Sequence, residues 1–292
     1  MASMRDIKRR RESITSTSQI TKAMKLVATV KLQKAKSRAE NAKPYFHKMY
    51  ETVVSVLARS GQLEHPYLQS VKEGEPVKKG VILISSNRGL AGGYNANIVK
   101  LITKGDFSPE NTVIFPVGRK GMEAIQSAGY TCKGDYSEVI NNPLFQDAAD
   151  IGQKVFEAFD NGEINEIYLA YTVFENTVKH VPTLKKLLPI QAEDMTEEEQ
   201  EGKKGPQAPM NYEPSSDVTL EYILPLYVNS LIYGALTESV ASENGARMQA
   251  MDNATNNAEE MIDTLELLYN RARQSSITQE LTEIVAGASA IE

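Results

Sequence analysis

The chain contains little cysteine, no tryptophan and few aromatic residues. Among its 292 residues there is one cysteine, Cys132, which excludes an internal disulfide and a cysteine-based metal site and fits a reducing compartment. The three histidines, His47, His65 and His180, are too scattered to form a metal motif, so we interpret each as a surface or packing residue. An aromatic content of 7% suits a molecule with much helix.

Long hydrophobic runs are absent as well. No segment approaches the ~18 apolar residues that are needed to cross a bilayer, so we expect no membrane span. The arginine-rich start has the composition of an organelle-targeting peptide, but Asp6 and Glu12 interrupt it and a helical pattern already begins at Ile7. We therefore expect a soluble protein without a signal sequence.

Positive and negative charges are concentrated at opposite ends of the chain. Residues 1–43 contain twelve lysines and arginines against three acidic residues, a net charge of plus nine. Residues 214–292 contain twelve acidic residues against three arginines, a net charge of minus nine. Because both segments also have helical periodicity, we predict that they lie against each other.

Both end segments carry rows of uncharged residues at heptad spacing, which is typical of a coiled coil. The N-terminal row consists of Ile7, Ile14, Thr21, Ala28, Ala35, Ala42, Met49 and Val56. Its second row is interrupted by charge, and we assign it to Arg10, Thr17, Met24, Lys31 and Arg38. The first C-terminal row is Leu220, Tyr227, Gly234, Ala241, Met248, Thr255, Ile262, Tyr269 and Ser276. The second is Ile223, Ser230, Thr237, Asn244, Met251, Ala258, Leu265, Ala272, Gln279 and Ala286.

Two prolines interrupt these helical patterns. Pro44 is expected to loosen or kink the first helix around residues 41–43. Pro225 is expected to bend the second helix in an early turn, after an N-cap at Ser215 or Ser216.

The length of the two patterns predicts helices that extend beyond the rest of the protein. Helices of about fifty and seventy residues would be about 75 and 105 Å long, whereas a domain of ~160 residues would be about 35–40 Å across. The segment 284–291 at the end of the second helix has no charged residue, and an exposed apolar end favours aggregation. We predict that partner subunits surround this end. The alternative is a tail folded back on its own domain.

Between the helices, the pattern changes to alternating strands and helices. We predict buried strands at 80–85, 111–117 and 166–171, helices at 95–103, 120–128 and 147–159, and a hairpin strand within 178–190. This βαβ order predicts an open sheet with helices on its faces. Residues 196–214 have the composition of a solvated loop.

A glycine-rich segment, residues 85–95, follows the first predicted strand. Its glycines, Gly89, Gly92 and Gly93, match neither the dinucleotide-binding nor the P-loop spacing, and no lysine follows to bind a phosphate. Backbone geometry is the simpler explanation, and we expect no cofactor, no metal and no catalytic residue in this chain. The alternative is a small dinucleotide-binding enzyme with helical extensions, which tight NAD or ATP binding would support.

The basic run Lys8 to Arg11 raises a second alternative, a nucleic-acid-binding arm. Strongly salt-dependent DNA binding by the full-length chain would support it. We expect no nucleic-acid partner, because the acidic partner helix should neutralise the positive field.

Three motifs together resemble the gamma subunit of F-type ATP synthase, of the bacterial type. They are residues 20–28 (ITKAM, then VA), residues 87–92 (NRGLAG) and the block 246–288, which includes ARMQAM, YNRARQ and ITQELTEIVAGA. The resemblance covers essentially the whole chain. Asn87 departs from the family pattern, in which aspartate is common, and the cysteine pair of light-regulated chloroplast relatives is lacking.

The resemblance implies an α/β fold class in which the N- and C-terminal segments form a long antiparallel two-helix coiled coil beside a central Rossmann-like domain. The implied boundaries are 1–58, 59–214 and 215–292. It further implies a non-catalytic central-stalk rotor inside a ring of three alpha and three beta subunits, joined to the epsilon subunit and the membrane c-ring. Proton flow would turn the c-ring and this chain together. The implied location is peripheral, on the cytoplasmic face of the bacterial plasma membrane.

The resemblance also implies two sets of contact residues. The residues that would grip the beta subunits are Arg273, Gln274, Thr278, Glu243, Arg247, Lys22 and Met24. The residues that would form a low-friction apolar bearing at the end of the second helix are Ile284, Val285, Ala286, Ala288 and Ile291.

Overall fold

The computed structural model of the protein describes residues 4–59, 67–68, 76–190 and 216–289. The predicted loop at 196–214, Ser215 and Ile291 lie outside these residues. Contacts divide the chain into two compact units, one consisting of Val30–Ala246 and the other of Met1–Thr29 with Arg247–Glu292. The first and last helices each contribute residues to both units.

The described residues contain the predicted alternation of strands and helices between two long helices. The helices are α1 (Met4–Arg59), α2 (Tyr94–Thr103), α3 (Arg119–Ser127), α4 (Phe145–Asp160) and α5 (Ser216–Ser289), with a short 3₁₀ helix at Val139–Asn141. The strands are β1 (Lys79–Ile84), β2 (Thr112–Val117), β3 (Thr131–Cys132), β4 (Glu166–Phe174) and β5 (His180–Leu188). Every helix and strand predicted in the central region is confirmed to within a few residues.

The five strands form one sheet in the order β3-β2-β1-β4-β5. The pairs β1/β2, β1/β4 and β2/β3 are parallel, as the βαβ order predicts, and β4/β5 is an antiparallel hairpin. The sequence did not predict β3, because a two-residue strand is too short to have a recognisable period.

The central strands of the sheet are buried on both faces. Alternate residues of β1 point to opposite faces, so Ile82 and Ile84 belong to one core cluster, and Val81 and Leu83 to another. Helix α4, together with parts of α1 and α5, covers the first face. Helices α2 and α3 cover the second face. Burial on both faces explains the continuous apolar runs of the central strands.

Both long helices continue without interruption through their internal prolines, Pro44 and Pro225. Next to Pro44, the ring of Phe46 packs edge-on against Tyr233 of α5, with 6.2 Å between ring centroids. Four residues later, the ring centroid of Tyr50 lies 6.5 Å from that of Tyr227. Residue numbers rise along α1 as they fall along α5, so the helices are antiparallel here. These aromatic contacts offset the backbone hydrogen bond that a proline removes.

Asn87 joins three loops at the carboxyl ends of the strands. Its Oδ1 atom accepts a hydrogen bond from the backbone N–H of Arg119 at 3.0 Å, and its Nδ2 atom donates to the carbonyl oxygen of Ser137 at 2.7 Å. An aspartate could accept the first bond but could not donate the second. Asn87, where aspartate is common in the family, therefore faces a carbonyl oxygen to which only the amide can donate.

His180 begins β5 and packs against α5. Its ring lies 5.7 Å from the ring of Phe174, and a methyl group added at Gly245 would come 2.5 Å from its Nε2 atom. That nitrogen is buried and has no hydrogen-bond partner within the part of the chain that the structure describes. Burial lowers the pKa of His180, because desolvation disfavours the charged imidazolium.

The free energy of unfolding is expected to fall as the pH drops below the ordinary histidine pKa of about 6.5. Below that pH the unfolded chain binds a proton that the folded chain rejects, whereas above it the imidazole is neutral in both states. Urea unfolding at about pH 7.5 and about pH 5.5 measures the loss. A His180→Gln variant should lose less stability between the two conditions, and an equal loss in both proteins would contradict the assignment.

Candidate functional site

The unit formed by Met1–Thr29 and Arg247–Glu292 is an antiparallel helix pair. Arg11 of α1 contacts Glu266 of α5, whereas Lys25, further along α1, contacts Asp252, earlier on α5. The two helices therefore run in opposite directions. Both contacts join a basic residue of the N-terminal segment to an acidic residue of the C-terminal segment. Charge complementarity between the segments is thus present in the folded chain.

The first predicted heptad row of α1 faces α5. Ile7, Thr21 and Ala28 are buried and Ile14 is half-buried. On α5, the buried residues Met251, Thr255 and Ala258 belong to the two rows that the sequence predicts. Gln279 and Ala286 of the second row are exposed, because the contacts of α1 lie further toward the start of α5.

The second row of α1 was assigned one residue too early. In this unit, the second inward row of α1 consists of Arg11, Ser18 and Lys25, which follow the residues of the first row by four positions. Arg10 and Thr17 are exposed. Heptad rows alternate spacings of three and four, and the prediction used three. The corrected row is not apolar, because Arg11 and Lys25 extend to acidic partners at its edge.

A buried hydrogen bond joins the two helices in the middle of this unit. The hydroxyl oxygens of Thr21 and Thr255 are 2.7 Å apart. Each hydroxyl also lies within 3.0 Å of a carbonyl oxygen of its own helix, so one donates across the pair and the other donates locally. Such a bond contributes about 1 kcal/mol. Because it needs both hydroxyls opposite each other, it favours a single register.

Lys25 lies one turn from this pair and forms a shorter inter-helix ion pair than Arg11 does. Its Nζ atom is 2.6 Å from Oδ1 of Asp252, and both side chains are roughly 40% exposed. A partly exposed pair of this kind contributes at most about 1 kcal/mol. It adds to the preference for one register more than to overall stability.

The last turns of α5 are exposed. Every residue from 277 to 287 is exposed, including Ile277, Leu281, Ile284 and Val285, of which Ile284 is the most open at 68%. These four residues recur at helical spacing and form an apolar stripe. The predicted bearing residues Ile284, Val285 and Ala286 belong to this segment. The side chain of Ala288 and all of Ile291 lie outside the described residues.

The predicted grip residues occupy separate places. Arg273, Gln274 and Thr278 are exposed on successive turns of α5, and the Thr278 hydroxyl donates to the carbonyl oxygen of Gln274 at 2.9 Å. Lys22 is exposed and Met24 half-exposed beside Thr21, which faces Thr255. That position is about 27 Å along α5 from Arg273 at 1.5 Å per residue.

The remaining two predicted grip residues are half-buried on α5. Arg247 belongs to the same unit as Arg273, whereas Glu243 belongs to Val30–Ala246. The structure therefore does not gather the seven residues into one cluster. Arg273, Gln274 and Thr278, near the end of α5, form one candidate contact surface.

Among the described residues there is no group of three or more histidine, cysteine, aspartate or glutamate side chains arranged to hold a metal ion. Within the same residues, no helix combines the length and the hydropathy that a membrane crossing requires. In the glycine-rich loop, the polar groups bond to one another: Asn95 Oδ1 accepts from the backbone N–H of Ser86, and the Ser86 hydroxyl donates to the carbonyl of Arg88.

Comparison with known proteins assigns the chain to a family. The family model described as ATP synthase matches residues 3–291. The ATP synthase gamma chain of Lachnoclostridium phytofermentans is 62% identical over the full length of both chains. The chain belongs to the ATP synthase gamma-chain family. A sodium-ion-specific gamma chain from Acetobacterium woodii is 41% identical, with 99% of this chain and 98% of that one covered.

Chains in solved structures of ATP synthases share the fold. A chain from the central stalk and c-ring of the Tetrahymena thermophila mitochondrial ATP synthase is 26% identical, with a TM-score of 0.58, covering 80% of this chain and 99% of that one. A chain of the Euglena gracilis mitochondrial ATP synthase is 21% identical, with a TM-score of 0.65, covering 99% and 94%. The predicted fold class, two long terminal helices with a central α/β sheet, is confirmed.

Sequence reasoning missed the inter-helix contacts of this gamma-chain family member. Arg11 was interpreted as part of a basic run, and Lys25 was not singled out. The signal available in the sequence was the four-residue offset from the uncharged row, which places Arg11 and Lys25 at inward positions. Their acidic partners are identified only when the register of the two helices is known.

Proposed function

We propose that this chain is the central-stalk rotor subunit of an F-type ATP synthase and has no active site of its own. The strongest support is that two antiparallel helices are held in a fixed register and that α5 continues beyond them into an exposed apolar end. Membership of the gamma-chain family supports the same role. Two of the similar solved structures are described as central stalk or rotor.

In this proposal, three alpha and three beta subunits surround the end of α5, and the central α/β domain joins the epsilon subunit and the c-ring. The proposed domain limits are 1–58, 59–214 and 215–292. The complex would be held peripherally at the cytoplasmic face of the bacterial plasma membrane. A proton is the proposed coupling ion. One of the similar gamma chains is described as sodium-ion-specific.

The mechanism is conformational coupling between distant sites. Each angle of the rotor favours a different conformation of each beta subunit. Rotation therefore changes the affinity of the beta subunits for nucleotides, and nucleotide binding in turn favours particular rotor angles. Arg273, Gln274 and Thr278 would make directional polar contacts that transmit torque. The apolar stripe would turn against the surrounding sleeve with few directional contacts to break, because apolar contacts are non-directional.

Reconstitution tests the proposal. Alpha and beta subunits assembled without this chain are expected to hydrolyse ATP weakly. Addition of the chain should raise the rate of hydrolysis, and a bead attached to the chain should then rotate. Isolation of the tagged chain from its native membrane should yield alpha, beta, epsilon and c subunits. Recovery of the chain without these subunits would contradict the proposal. ATP synthesis driven by a proton gradient in sodium-free buffer tests the coupling ion separately.

A further inference from the structure

Arg11 lies where the paired helices meet the segment that carries the proposed grip residues. Its guanidinium carbon is 5.7 Å from the centre of the Tyr269 ring, and its Nη1 atom is 4.0 Å from Oε1 of Glu266. The Arg11 side chain is only 32% exposed, so most of it is covered by the packing of the two helices. Glu266 and Tyr269 are three residues apart and present one face of α5 to Arg11.

Tyr269 lies one helical turn before Arg273. Residues four apart lie on the same side of a helix, separated by about 6 Å along its axis. A contact that fixes the Tyr269 ring therefore fixes the rotation of α5 about its own axis just before Arg273 and Gln274. Beyond this point, every residue from 277 to 287 is exposed, so few contacts within the chain orient the segment further.

The neighbouring apolar contact cannot supply the same restraint. Ile7 is buried at 7% exposure, one turn from Arg11, and holds the two helices together. Apolar contacts are non-directional, so they restrain the rotation of a helix less than an oriented polar contact does. The contact of a planar guanidinium with a ring and a carboxylate depends on orientation.

We propose that Arg11 is a positioning residue for torque transfer: through Tyr269 and Glu266, it sets the angle at which Arg273 and Gln274 are presented to the catalytic subunits. This inference rests on the proposed rotor function. It concerns a residue of α1 that does not itself belong to the grip surface.

The test uses the complete ATP synthase assembled with variants of this chain. Arg11→Gln removes the charge and the stacked cation and is expected to lower ATP synthesis about threefold. Arg11→Lys retains the charge but not the planar group and should have an intermediate effect. Arg10→Gln is the matched control, since Arg10 is exposed on a different face of the same helix turn, and it should leave the rate unchanged. Tyr269→Leu should reproduce the effect of Arg11→Gln and serves if that variant fails to assemble.

A double variant separates positioning from a general structural role. If Arg11 acts through Arg273 and Gln274, then Arg11→Gln should cause no further loss in a chain that already carries Arg273→Ala and Gln274→Ala. An equal factor of loss in both backgrounds would overturn the inference, as would an Arg11→Gln rate equal to that of the control. A normal rate for Arg273→Ala, Gln274→Ala in a chain that keeps Arg11 would overturn the grip assignment as well. If Arg273→Ala, Gln274→Ala lowers the rate of ATP synthesis as expected but Arg11→Gln does not, the positioning role alone is overturned.

Discussion

An ATP synthase assembled with the double variant Arg273→Ala, Gln274→Ala is expected to synthesise ATP about tenfold more slowly than the wild-type enzyme. Both side chains are exposed in the chain itself, so their loss would remove the proposed contacts with beta subunits rather than contacts within the chain. Two polar contacts of about 0.7 kcal/mol each are sufficient for a tenfold effect. The measurement is the rate of ATP synthesis by membrane vesicles under an imposed ion gradient.

The same helix offers a matched control. Arg271 and Gln279 are also an exposed arginine and an exposed glutamine near the end of α5. Arg271 lies about 200° around the helix from Arg273, and Gln279 lies about 140° around it from Gln274. The variant Arg271→Ala, Gln279→Ala should retain near-normal synthesis. Neither double variant should change the free energy of unfolding by more than about 1 kcal/mol, because all four positions are on the surface. Normal synthesis by the Arg273, Gln274 variant would refute the grip assignment.

Gly118→Ala is expected to destabilise the central sheet domain by about 3 kcal/mol or more. Gly118 has a φ of 106°, a conformation that residues with a side chain rarely adopt. A Cβ atom at this position would overlap the carbonyl oxygen of Ser85, which is backbone and cannot rotate away. The overlap would separate the carboxyl ends of β1 and β2, where the backbone N–H of Ser85 donates to the carbonyl of Val117 at 2.7 Å.

Gly129→Ala separates the two parts of this effect. Gly129 also has a positive φ, 89°, but a Cβ atom there would meet nothing within 4 Å. Its replacement should cost only the backbone strain, about 1–2 kcal/mol. Urea unfolding followed by tyrosine fluorescence measures both variants. Equal destabilisation by the two substitutions would show that the contact with Ser85 does not matter.

Much of the fold could be predicted from sequence because its periodicities are strong. The apolar runs of β1, β2 and β4 are typical of a sheet that is covered on both faces, and the structure confirms them. The uncharged row through Ile7, Thr21 and Ala28 identified the inward face of α1. Such patterns need no knowledge of the partner, since burial excludes charge wherever the partner lies.

The candidate site was predicted less completely. Exposure near the end of α5 agrees with a contact surface around Arg273, and the proposed roles of Gln274 and Thr278 remain predictions. The resemblance implied that Lys22 and Met24 lie opposite a part of the last helix away from Arg273, and only the register gives their distance from Arg273, about 27 Å along the helix axis. It also did not indicate that Arg11 contacts Tyr269, because residues so distant in sequence are brought together only by folding.

The sequence alone determined that two long helices flank an α/β sheet and that their opposite charges attract. Only the tertiary structure decided the second inward row of α1, the register that joins Thr21 to Thr255, and the partners of Arg11 and Lys25. The physical reason is that a heptad pattern specifies which face of a helix is buried. It does not specify which residue of the other helix lies opposite, because that depends on where hydrogen bonds and ion pairs can form across the interface.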